Sequence, residues 1–144
     1  MKKNLYIVLL LLAFGCQQDH KNQETNKEEI VYDMYTPSEM SLLMNSMYNY
    51  NAQLKQDIIN GETPTEFPEN FLEIYSAELS EFKSRNEVFQ GFSKLFIEKQ
   101  KAIFNSDATL SVTQRYNEAI NLCISCHTTE CTGPIPKIKK LLIQ

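Results

Sequence analysis

The chain has 144 residues, carries 14 basic and 18 acidic side chains for a formal net charge of −4, and is 42% hydrophobic. That is length for one domain, a globular rather than disordered composition, and no basic excess of the kind that binds nucleic acid. Four glycines and five prolines are too few for the frequent turns of a sandwich or barrel, and no stretch alternates apolar and polar over strand length, so the helical patterns below predict an all-α fold.

Residues 1–15 read as an export signal. Lys2 and Lys3 precede an apolar run over 5–14, far shorter than the roughly 20 residues of a membrane span. The run closes on Ala13-Phe14-Gly15-Cys16, which resembles the lipobox of bacterial lipoproteins, with Ala13 where leucine is usual. The resemblance implies a lipid on Cys16 and a membrane anchor in the bacterial cell envelope, the domain lying on the periplasmic or external side. An ordinary secretory signal with an incidental cysteine is the alternative. Residues 17–29 contain no apolar side chain, so the stretch 16–36 is expected to be a tether, with His20 solvated in it. Loss of residues 1–15 leaves 12 basic and 18 acidic residues, a net charge of −6.

The domain is expected over 37–144. Thr36-Pro37-Ser38-Glu39 reads as a capping box opening a first helix. Met40, Leu43, Met44, Met47, Leu54 and Ile58 outline its apolar face, and Asn60-Gly61 ends it. Phe71, Leu72, Tyr75, Leu79 and Phe82 outline a shorter second helix. Ser84-Arg85-Asn86-Glu87 opens a third, with Val88, Phe89, Phe92, Leu95, Phe96 and Ile103 on its buried side. Ser111-Val112-Thr113-Gln114 opens a fourth, burying Val112, Tyr116, Ala119, Ile120 and Cys123. Four helices with short connections predict an antiparallel four-helix bundle.

The fourth helix carries Cys123-Ile124-Ser125-Cys126-His127, the Cys-x-x-Cys-His signature of covalent haem attachment. Residues three and four apart share a helix face. Cys123 and Cys126 are thereby placed for thioethers to one porphyrin, and His127 for the iron from the same side. A zinc site from Cys123, Cys126, His127 and Cys131 competes poorly, because consecutive helical residues point in different directions and structural zinc usually recruits a distant second pair. A disulfide between Cys123 and Cys126 leaves the adjoining histidine unexplained.

A haem motif on the last of four helices resembles the class II cytochromes c, meaning cytochrome c-prime and its low-spin relatives. The resemblance covers about residues 37–128. It implies an antiparallel four-helix bundle with haem c on the C-terminal helix, attachment through Cys123 and Cys126, and His127 as proximal iron ligand. It also implies that the first helix supplies whatever faces the other side of the iron. The chain departs from the family at Met40, where low-spin members tend to be basic, and at 131–136, where Cys-Thr-Gly-Pro-Ile-Pro interrupts the last helix.

Met40, Met44 and Met47 form a stripe on the first helix. Such a stripe is ordinarily core; beside haem it offers a thioether ligand, with Met44 the first choice, Met47 the second and Met40 the third. Cys131 is left without an assigned partner, as a free thiol, an intermolecular bridge or a small buried residue. The tail Lys137–Ile143 reads as a closing helix burying Ile138, Leu141 and Leu142, or else as a basic docking patch for a redox partner protein. The expected function is that of a lipid-anchored monohaem cytochrome c passing single electrons, without enzymatic activity. The alternatives are a five-coordinate, gas-binding haem protein and a haem-free metal-binding or interaction module.

Overall fold

The computed structural model describes residues 36–106 and 108–144. The expected signal (1–15) and the tether up to residue 35, with Cys16 and His20, lie outside them. The described chain is all-helical. Three long helices, α1 (Glu39–Ile59), α2 (Glu87–Ala102) and α3 (Val112–Glu130), are followed by a single turn, α4 (Ile135–Ile138). Two 3-10 segments, Glu69–Tyr75 and Lys139–Leu141, complete the order. No helix among the described residues is long and apolar enough to cross a membrane.

The caps place two helix starts later than their sequence signals. Ser38, not Thr36, caps α1, its hydroxyl accepting from the Ser41 amide at 3.2 Å. The Glu39 carboxylate is engaged elsewhere: it accepts from the Glu78 amide at 2.8 Å, while the Met40 amide donates to the Glu78 carbonyl at 2.9 Å. For α2 the cap is Asn86 rather than Ser84, with Oδ1 accepting from the Phe89 amide at 2.8 Å. The Ser111–Gln114 box on α3 is reciprocal, as expected. Gly61 closes α1 at φ 83°, a conformation that glycine adopts without a Cβ clash.

The expected second helix is not one. Residues 69–75 form the 3-10 segment, and the chain from Ala77 to Ser80 leaves the helical path to lie along the start of α1. The reciprocal Met40–Glu78 and Glu39–Glu78 bonds draw the backbone out of a helix there, and the apolar spacing of 71–82 cannot register that pull. Phe71 and Ile74 are buried, whereas Phe82, expected on the inner face, is 92% exposed.

Two apolar clusters fill the interior. One gathers Met40, Leu43, Met47, Phe71, Ile74, Phe89, Phe96 and Ile97. The other gathers Leu54, Ile58, Ile103, Tyr116, Ala119, Ile120, Ile138 and Leu141. Of the six residues expected on the buried side of α2, Phe89, Phe96 and Ile103 are buried and Phe92 is half-buried, but Val88 and Leu95 are exposed. Six positions span more of the helix than one face can hold, so the outermost fall on the flank.

A buried polar group joins the three long helices. The Gln100 amide nitrogen donates to Asn51 Oδ1 at 2.9 Å, Asn51 Nδ2 donates to the Met47 carbonyl at 2.9 Å, and the Tyr116 hydroxyl donates to the Asn51 carbonyl at 2.9 Å. An unpaired buried amide costs about 1–3 kcal/mol, so these bonds favour one alignment of the helices over a slipped one. Gln100 Oε1 is buried with no partner.

The C-terminal tail closes the second cluster. Ile138 and Leu141 are buried, and Lys55 Nζ donates to the Lys140 and Leu142 carbonyls at 2.9 and 2.7 Å. Lys137 Nζ stands 4.1 Å from the centroid of the Tyr48 ring, while Lys139 and Lys140 are exposed. This is the closing-helix arrangement of the tail.

Candidate functional site

The site is built on the second half of α3. The first half is anchored: Tyr116, Ala119 and Ile120 are fully buried. The helix then continues with its inward face unbroken, so Cys123 and His127, seven and eleven residues after Tyr116, inherit the orientation of the core residues. Cys123 is half-buried and packs against both apolar clusters, at the junction between them. Cys126 and His127, one turn on, are half-buried as well.

Cys123, Cys126 and Cys131 are free thiols. Burial, then the neighbouring Cys126 thiol, pushes Cys123 up to about 12. Burial, then Glu130, pushes Cys126 up to about 11. Both sulfurs are therefore protonated at neutral pH in the folded chain, unlike the low-pKa thiols of redox motifs. Cys126 and His127 diverge from consecutive positions, and among the described residues no three His, Cys, Asp or Glu side chains are grouped to hold a metal ion.

His127 is oriented by the backbone that ends its own helix. Its Nδ1 lies 2.9 Å from the Cys131 carbonyl oxygen, and the Cys131 amide donates to the His127 carbonyl at 3.1 Å. A carbonyl only accepts, so Nδ1 carries a proton, and in the neutral ring this tautomer leaves the Nε2 lone pair free for a ligand. Cys131 is in extended conformation, φ −161° and ψ 96°, which ends the helix and turns this carbonyl back to the ring. The interruption at 131–136 thus has a local purpose. Cys131 itself is exposed, which excludes the buried packing role.

The methionines divide. Met40 and Met47 are 7% and 5% exposed, inside the first cluster. Met44 is half-buried and packs on the edge of that cluster, as Leu122 and Cys123 do. Met44 and Cys123 each touch this cluster, while Met40 and Met47 take the gap-filling role that methionine plays in cores.

Sequence reasoning missed the Asn51–Gln100–Tyr116 group beneath this site. A signal was present: Asn51 stands between Met47 and Leu54, and Gln100 between Ile97 and Ile103, both at core spacing. A cleft of about 770 Å³ lies along the start of α2, lined by Tyr75, Arg85, Phe89, Gln90, Gly91, Ser93 and Lys94. None of the motif residues lines it.

The residues present fit covalent haem. Two free thiols and one oriented imidazole share a flank of one helix, with Cys123 packed against apolar side chains. No family model matches the chain, and no curated protein or solved structure matches it.

Proposed function

We propose that this chain is a membrane-anchored monohaem c-type cytochrome of the class II kind, transferring single electrons on the outer side of a bacterial membrane. The fold proposed for it is an antiparallel four-helix bundle whose second limb is reduced to the 3-10 segment 69–75. Haem c, when bound, supplies a one-electron iron couple. Cys123 and Cys126 would hold it through thioethers, and His127 Nε2 would ligate the iron. The Cys131 carbonyl fixes the imidazole ring and its tautomer, and such a partner raises ligand basicity. Met44 would supply a further iron ligand, a thioether that raises the potential relative to a second imidazole. The lipid on Cys16 and the tether up to residue 36 keep the acidic domain near the membrane, where redox partner proteins meet it.

The observation that carries this reading is the joint placement of Cys123, Cys126 and His127 on one flank of α3 with His127 Nδ1 already engaged. The test is the absorption spectrum of the exported, matured protein, reduced, with and without carbon monoxide. A haem band that carbon monoxide leaves unchanged is expected; a prompt shift would instead support the five-coordinate, gas-binding reading, and no haem band would leave the haem-free module. Met44→Ala is expected to open the iron to carbon monoxide and to lower the potential. The same result from Met47→Ala alone would overturn the assignment of Met44.

A further inference from the structure

We infer that the flank of α2 bearing Val88, Phe92 and Leu95 is a second wall of the haem site, packed against the macrocycle that Cys126 tethers. The inference rests on the haem reading above. Three contacts set how α2 and α3 meet. Lys99 pairs with Glu118 at 2.8 Å, which marks the facing flanks of the two helices. Arg115 at the start of α3 donates to the carbonyl of Ala102 at the end of α2, at 2.7 Å, while Lys83, ahead of α2, donates to the Glu130 carbonyl at the end of α3.

From that ion pair both flanks can be followed toward the motif. On α2, Leu95, Phe92 and Val88 precede Lys99 by four, seven and eleven residues; on α3, Leu122 and Cys126 follow Glu118 by four and eight. These are the spacings of a single helical flank. An apolar strip of α2 therefore runs beside Leu122 and Cys126. Val88 is 50% and Leu95 47% exposed, and Phe92, Leu122 and Cys126 are half-buried. Phe82, in the loop whose Lys83 is tied to Glu130, adds a third exposed apolar side chain at the same end.

An uncovered apolar strip of this kind gains from any apolar cover. The occupant is identified by the tether: a thioether on Cys126 leaves the porphyrin within covalent reach of this flank.

The test is methyl NMR on the matured holoprotein in its diamagnetic reduced form, with carbon monoxide added if the iron binds it. Porphyrin ring current is expected to move the Val88 and Leu95 methyls out of the ordinary aliphatic range. The Leu141 methyls, at the other end of α3, are expected to stay within it. Leu95→Ser should leave haem covalently attached while weakening its circular dichroism, with Leu42→Ser on the outside of α1 as the silent control. Covalent haem with unshifted Val88 and Leu95 methyls overturns this wall while leaving the haem reading intact, and a partner protein that broadens those methyls instead would assign the strip to docking. Absence of covalent haem overturns both.

Discussion

The two halves of α3 are built differently. In the first half Tyr116, Ala119 and Ile120 are fully buried and the C-terminal tail folds back over them. In the second half Cys123, Cys126 and His127 sit on the same face of the same helix but remain half-buried. A helix whose inner face is closed at one end and open at the other separates two tasks. The closed end supplies stability and fixes alignment through Asn51, Gln100 and Tyr116. The open end keeps reactive groups accessible in an orientation that the closed end has already set.

The largest effect expected from this division is complete. Replacing Cys123 and Cys126 together by Ala should abolish covalent haem while the haem-free chain keeps its helical circular dichroism. A collapse of the helix signal would show that the motif end also holds the fold. Next comes a contrast in stability. Ile120→Ala at the closed end is expected to cost about 2–5 kcal/mol in urea unfolding, whereas Leu95→Ala at the open end in the haem-free chain should cost no more than about 0.5 kcal/mol. Comparable losses at both sites would erase the distinction. Tyr116→Phe, which removes the donor to the Asn51 carbonyl, should cost about 1 kcal/mol by the same measurement.

The smallest effect is a pH dependence. In the folded haem-free chain Cys123 and Cys126 hold their protons up to about 12 and 11, against an ordinary value of 9.0. The unfolded chain releases those protons earlier, so the contribution is fully present below about pH 9 and is lost as pH rises through 11 to 12. Unfolding midpoints measured across that window should fall with pH, and fall less in the Cys123→Ala, Cys126→Ala chain.

The Cys-x-x-Cys-His pentapeptide and the three long helices were legible in the amino-acid sequence because each has a short-range signature: a fixed spacing, a cap, an apolar face. What was not legible depended on contacts distant in sequence. Thr36 and Glu39 have the spacing of a capping box, but Glu39 is committed to the Glu78 amide 39 residues away. That same pairing turns the expected second helix into a 3-10 segment and an extended stretch. Val88 and Leu95 have core-like identity and spacing, yet their exposure is settled by where α3 packs on α2. Conversely, Asn51 and Gln100 are buried with a hydrogen bond between them at 2.9 Å, a pairing that neither residue announces alone. The residue His127 was legible from the pentapeptide, but the orientation of its ring was not. That the ring's partner is the Cys131 carbonyl follows only from how the helix ends.

The most direct measurement is the intact mass of the exported protein after denaturation and acid–acetone extraction. A polypeptide carrying one haem that extraction fails to remove is expected, whereas a mass equal to the polypeptide without haem would contradict attachment at Cys123 and Cys126.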